Sequence, residues 1–107
     1  MGKMARNKGA GGERELAKIL NEHGIKAHRG YVQFKQSDLV GIDGIHPEVK
    51  RVEKLNIHEA MRQAIEEAEK RKDGAPTVFH RRNRGAWLVT MLLEDWIKIY
   101  KDGNENG

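Results

Sequence analysis

A chain of 107 residues, 37% hydrophobic and 34% charged, makes one domain with a thin core and a strongly solvated surface, and leaves no room for a second. Its lack of cysteine excludes disulfides, a thiolate nucleophile and cysteine-ligated zinc, so any metal must be held by oxygen or imidazole. The formal charge of +4 and pI near 9.5 suit a polyanionic partner. With no run of about 20 apolar residues to cross a membrane, the expectation is a soluble, cytoplasmic protein with no membrane partner and no small-molecule cofactor.

Residues 1–12 carry Lys3, Arg6 and Lys8 and no acid, and are expected to form a flexible basic arm. It is either a solvated tail or a set of phosphate contacts that order on binding. From Glu13 to His23 the apolar Leu16, Ala17, Ile19 and Leu20 recur at helical spacing, and Gly24 stands where a left-handed cap would close the helix. Glu13 begins the buried stripe, being aligned with Leu16, Ala17 and Leu20, whereas Glu15 shares a side with Lys18 and Glu22. The alternative for Glu13 is a simple complement to the positive helix terminus. Ile25 to Phe34 read as a strand, long or bent at Gly30.

Ser37 to Lys50 places two apolar runs around an Asp43-Gly44 turn, with Asp38, Glu48 and Lys50 set into what should be sheet interior. A two-residue loop pairs Asp38 with Val49 and puts Asp38 and Glu48 on opposite faces. A three-residue loop, Ile42-Asp43-Gly44, pairs Asp38 with Glu48 instead. The second is preferred because it gives the charges a common purpose: opposed carboxylates repel unless a cation lies between them. His46 falls on the Glu48 face, as a metal ligand, a proton shuttle or, more ordinarily, a solvated edge residue. Arg51 and Lys54 extend the basic character beyond Lys50.

A second helix opens at Asn56, with Glu59 placed for a capping box. Ile57, Ala60, Met61, Ala64, Ile65 and Ala68 form its apolar stripe, Gln63 is read as solvated, and Gly74 and Pro76 mark the stop. A hairpin follows, Thr77 to Arg82 and Ala86 to Met91, whose basic tip with Arg81, Arg82 and Arg84 is expected to face phosphate. A short helix from Glu94 to Lys101 closes a domain of residues 13–101, with 102–107 as a frayed tail. Trp87, Met91 and Trp96 are expected in the core.

An Asp and a Glu on adjacent strands with a Lys on the same face suit a hard divalent cation beside a phosphodiester, because Mg²⁺ takes oxygen ligands and keeps several waters. Glu13 is a further ligand, directly or through water, and the Val49 carbonyl completes the set. Lys50 would position a water or neutralise the transition state.

Gly12-Glu13-Arg14-Glu15-Leu16, Ser37-Asp38-Leu39-Val40 and Glu48-Val49-Lys50 together resemble the motif set of the PD-(D/E)XK nuclease superfamily. The similarity is closest to archaeal-type Holliday junction resolvases and their small phage-encoded relatives. It implies a restriction-endonuclease-like α/β domain, a mixed sheet flanked by helices in the order α-β-β-β-α-β-β-α. It also implies a homodimer that cuts branched or four-way DNA with Mg²⁺ or Mn²⁺. By motif position Glu13, Asp38 and Glu48 are metal ligands, Lys50 is catalytic and Arg29 lies on phosphate. Ser37 departs from the usual proline, and Tyr31 to Gln36 lack the serine associated with junction cleavage. Two other readings stand: a nicking or flap-type nuclease of the same superfamily, and a non-catalytic nucleic-acid-binding module with Asp38, Glu48 and Lys50 as a structural ion-pair cluster.

Overall fold

The computed structural model describes residues 2–34 and 36–106. The side chains of 1–10, 32, 35 and 105–107 lie outside the described residues, and with them those of Lys3, Arg6 and Lys8. The element order is α1 (Gly2–Glu22), β1 (His28–Arg29), a 3-10 turn (Val32–Phe34), β2 (Leu39–Val40), β3 (Ile45–Arg51), α2 (Ile57–Arg71), β4 (Ala75–Arg81), β5 (Leu88–Met91) and α3 (Leu93–Asn106). This is the expected α-β-β-β-α-β-β-α sequence of elements. Both α1 and α3 have wider bounds than the sequence patterns suggested.

β3, β4 and β5 form a mixed sheet in that order, β3 parallel to β4 and β4 antiparallel to β5. The register places Glu48 beside Val78, Val49 beside Phe79 and Lys50 beside His80. Because side chains alternate along a strand, neighbouring residues of β4 sort the core into two layers. Phe79 packs with Leu16 of α1 and with Leu39, while Val78 packs with Ala60 and Ala64 of α2. α1 and α2 therefore cover opposite faces of the sheet. The α2 layer is built on small side chains, the buried Ala60, Ala64 and Ala68, which let the helix approach closely but bury little area; the thin core expected from composition is the result. Among the described residues no helix is long and apolar enough to cross a membrane.

α2 begins as its sequence suggests. Asn56 accepts the Glu59 N–H at 3.1 Å, which satisfies one orphan donor of the first turn. The capping box is only half formed, because the Glu59 carboxylate turns outward to Arg62 instead.

The Ile25–Phe34 strand is not formed as expected: only His28 and Arg29 pair, with Val40 and Leu39, in a separate two-stranded ribbon. The chain then leaves extended geometry for the 3-10 turn, which Gln36 stabilises by accepting the Tyr31 N–H through Oε1 at 2.8 Å. Gly30 makes the ribbon possible. Its N–H donates to the Asp38 carbonyl at 3.0 Å, and a Cβ there would lie 1.8 Å from the Ser37 carbonyl oxygen.

Glu15, expected on a solvated face, instead ties α1 to the sheet. Arg81 donates to it through Nε at 2.6 Å and Nη2 at 2.8 Å, and Trp87 donates through Nε1 at 2.8 Å. Arg51 completes the cluster at 3.7 Å. Hydrogen bonding by Arg81, ahead of Trp87 and the Arg81 and Arg51 charges, holds the Glu15 carboxyl below its ordinary range despite some desolvation. Helical spacing from the apolar stripe could not reveal this, since the partners lie more than 30 residues away in the chain.

Candidate active site

Ile45 donates its N–H to the Ile42 carbonyl at 3.1 Å, so the turn is the two-residue Asp43-Gly44 loop and not the three-residue loop preferred from the charges. Only Gly44, at φ +79°, has positive φ in it. Such a turn does not share the right-handed twist of an antiparallel ladder. β2 and β3 accordingly part instead of pairing, and belong to different sheets. Asp38 stands opposite Val49, as the two-residue register demands, and its carboxylate takes the place of a neighbouring strand: Val49 donates its N–H to Asp38 Oδ2 at 2.8 Å. Within an extended strand the N–H and C=O of one residue point to the same side, so the Val49 carbonyl faces this edge too.

The opened gap brings the carboxylates together by a route the strand register alone does not offer. Glu48, and more weakly Glu13, are near enough to raise the Asp38 pKa by their charge. Burial, followed by the charge of Glu48, pushes Asp38 up to about 7 against the opposing Val49 N–H. Glu48 is displaced downward: desolvation is its largest influence and acts upward, but His46, the Lys50 charge and the neighbouring Asp38 together outweigh it. The two carboxyls are thus displaced in opposite directions, Asp38 toward its protonated form and Glu48 toward its charged one. Glu13 is raised by desolvation against the pull of Arg29, whose Nε lies 3.6 Å from Glu13 Oε1.

His46 is buried at 1% exposure, which corrects the expectation of a solvated edge histidine. Its Nδ1 lies 2.8 Å from Asp73 Oδ1 and 3.0 Å from Ser37 Oγ, and Ser37 Oγ donates to Asp73 Oδ2. An ionised carboxylate can only accept, which assigns a proton to Nδ1. Nε2 is buried without a hydrogen-bond partner and faces Glu48 Oε2 at 3.9 Å. Burial is the largest influence on His46 and lowers its pKa, yet the neighbouring Glu48 and Asp73 carboxylates together leave it raised. The i, i+2 rule placed His46 on the Glu48 face, but nothing in the sequence indicated Asp73, which arrives from the connection between α2 and β4.

The basic residues fall into three groups. Arg29 is ion-paired with Glu13. Arg51 and Arg81 are engaged by Glu15, with Arg81 also 5.7 Å over the Trp87 ring. Arg82 and Arg84 are exposed at the β4–β5 tip, beyond the same ends of the parallel strands β3 and β4 at which Lys50 lies. Beside Lys50 a shallow cleft of about 280 Å³ opens, with Lys54 and Gln63 on its walls.

The donor set is made of hard carboxylate oxygens and a carbonyl, with no soft ligand, which matches Mg²⁺ or Mn²⁺ in kind. The upward displacement of Asp38 by burial and the Glu48 charge marks a place where positive charge would stabilise the cluster. Among the described residues, no three acidic or histidine side chains are grouped as a ready-made metal-binding set, so a cation would have to draw Glu13, Asp38 and Glu48 inward. No family model matches the chain, and no curated protein matches it.

Proposed function

We propose that this chain is a metal-dependent endonuclease of the PD-(D/E)XK type, with a restriction-endonuclease-like fold, that hydrolyses phosphodiester bonds in branched DNA, four-way junctions foremost. The reading rests on one observation: the partly buried Asp38 carboxylate accepts the Val49 N–H at the open edge of β3, where the charges of Glu48 and Glu13 both reach it and Lys50 follows two residues after Glu48. Glu13, Asp38, Glu48 and the Val49 carbonyl would hold Mg²⁺ or Mn²⁺. The ion when bound supplies Lewis acidity toward the phosphate and a water of lowered pKa. Lys50 neutralises charge that develops on the phosphate. Arg29 exchanges Glu13 for a DNA phosphate once the cation engages that carboxylate. Arg82 and Arg84 follow the DNA backbone along the strand ends, with Arg51 and Arg81 adding to the positive potential. Lys3, Arg6 and Lys8 contribute from α1.

Cleavage of a panel of four-way, flap, nicked and linear DNA with Mg²⁺ tests the substrate class. Symmetric cutting of the junction in preference to the others is the expected result, lost in Glu48→Gln. A preference for flap or nicked DNA selects the nicking or flap-type alternative. Cutting by Glu48→Gln at the wild-type rate overturns the active-site assignment. The non-catalytic module has one observation in its favour, that the cluster is already hydrogen-bonded and ion-paired without a cation; binding of junction DNA with no cleavage in any divalent metal would select it.

The proposal includes a homodimer, supported by apolar surface at the C-terminal end. Leu88, Val89, Leu92, Leu93, Trp96, Ile97, Ile99 and Tyr100 are all exposed, Leu93 at 70%. β5 ends the sheet, and among the described residues α3 packs extensively on no other element. Trp96, expected in the core, stacks only on Tyr100, at 5.2 Å between centroids, while Trp87 does pack against the core. An apolar patch of this kind is ordinarily covered by a partner, and a free strand edge beside an unpartnered helix suits a two-fold arrangement. Sedimentation should give twice the 12.2 kDa chain mass, reduced to the monomer by Leu93→Arg with Trp96→Glu. A wild-type monomer at micromolar concentration would refute the dimer.

A further inference from the structure

Ser37 and His46 are buried behind Glu48 and joined there by the partly exposed Asp73, a polar cluster to which the proposed reaction assigns no part. Burying polar side chains such as those of Ser37 and His46 in a small core is unfavourable unless each is satisfied. Ser37 is 5% exposed and His46 1%, and the Nδ1 side of the ring is fully engaged: Asp73 Oδ1 lies at 2.8 Å, Ser37 Oγ at 3.0 Å, and the Ser37 hydroxyl donates back to Asp73. The other side is not. Nε2 is buried, lacks a hydrogen-bond partner and faces Glu48 Oε2 at 3.9 Å.

The cluster is mechanically well anchored. Asp73 stands between Lys72, left-handed at φ 50°, and Gly74 at φ 137°. A Cβ on Gly74 would lie 2.4 Å from the Gly44 carbonyl carbon, so the loop carrying Asp73 is pressed against the turn that starts β3. Ser37 immediately precedes Asp38 and is fixed from the other side by the β1–β2 ribbon. The imidazole is thereby held by two loops that also bound the carboxylate pair, and its free nitrogen is aimed at one member of that pair.

We infer that His46, oriented by Asp73 and Ser37, is a positioning residue that sets the orientation of the Glu48 carboxylate from behind. This rests on the nuclease reading only for its consequence, since Glu48 is a proposed cation ligand; the positioning itself is a property of the chain alone. Groups that orient ligand side chains from behind change metal affinity by about 10- to 100-fold when removed.

The test uses Asp73→Asn, His46→Gln and Ser37→Ala with two readouts. The first is the Glu48 carboxyl ¹³C resonance without metal, which moves in Asp73→Asn and in His46→Gln if the cluster sets the Glu48 environment. The second is Mn²⁺ affinity by calorimetry, which falls about tenfold or more in Asp73→Asn and does not fall further when Asp73→Asn is added to Glu48→Gln. A purely structural role would lower the melting temperature while leaving the Glu48 resonance in place. Should His46→Gln fail to fold, Asp73→Asn reads the same link from a side chain that is one-third exposed. An unmoved Glu48 resonance in folded Asp73→Asn overturns the inference whether or not the wild type cuts DNA. A moved resonance in a protein that binds no Mn²⁺ upholds the positioning and removes the nuclease reading.

Discussion

Asp38→Asn is expected to abolish metal-dependent cleavage and, in the same protein, to raise stability at neutral pH. Asp38 is held up to about 7 by burial and the charge of Glu48, above the ordinary aspartate value of 3.8 that applies in the unfolded chain. A group raised in the folded state favours folding most fully below its unfolded pKa, and that contribution is lost as pH rises through the folded value. Wild-type stability should therefore decline between about pH 4 and pH 7 on account of this residue. Glu48, displaced downward, partly offsets the loss. Asparagine keeps the oxygen that accepts the Val49 N–H and supplies an N–H to Glu48, with no charge to bury. Its net advantage is about 2 kcal/mol at pH 8 and vanishes near pH 4. Denaturant unfolding of both proteins across this range measures it. The loss of cleavage should be a hundredfold to a thousandfold or more, the scale on which single pre-placed groups act on charge development. An active site that destabilises its own fold is what these opposed effects would show; equal stability at pH 8 would mean that the pair is solvated and Asp38 is not displaced upward.

Gly30→Ala is expected to give a large stability loss for a single added methyl. The new Cβ would lie 1.8 Å from the Ser37 carbonyl oxygen, 3.0 Å from its carbon and 3.1 Å from the Gln36 Cβ. The first two are backbone atoms that no rotamer change can move. Relief requires separating β1 from β2, which breaks the Gly30 N–H bond to the Asp38 carbonyl and displaces Asp38 itself. The expected loss is about 3 kcal/mol or more, in the range reserved for overpacking and broken backbone pairing, with cleavage falling in parallel. Gly44→Ala is the control. Gly44 has φ +79° but open space around its Cβ, so the penalty is the intrinsic left-handed one of about 1 kcal/mol. Thermal melts of the two variants separate close approach from backbone strain.

The parts of this fold that depend on neighbours in sequence were legible there. The α2 stripe, its Asn56 cap and the β4–β5 hairpin follow from periodicity and turn chemistry, and the order of elements from their succession. What was not legible depends on partners distant in sequence. Glu15 appeared solvated because its own helix offers only Lys18 and Glu22 beside it, whereas its partners are Arg81, Trp87 and Arg51. His46 appeared to sit at an exposed edge because Asp73 and Ser37, which enclose it, belong to other loops. The Ser37–Lys50 stretch is the instructive case. Of the two turn lengths compatible with the sequence, the three-residue one would make the carboxylates directly opposed. The two-residue turn brings them together anyway, because it splays the strands and lets the Asp38 side chain enter the gap. Strand register decides which face a residue occupies, but here divergence of the strands decides which residues meet.

The most direct test is a calorimetric titration with Mn²⁺ near pH 6.5, run in two buffers of different ionisation heat, on the wild type and on Asp38→Asn and Glu48→Gln. A cation entering the cluster would compete with protonation of Asp38, whose pKa is raised to about 7, so wild-type binding should release up to one proton, visible as a buffer-dependent heat. Asp38→Asn should bind more weakly and release none. Wild-type binding that is unchanged by either substitution, or no binding at all even with four-way junction DNA present, would contradict the proposal that these carboxylates form a metal-dependent nuclease site.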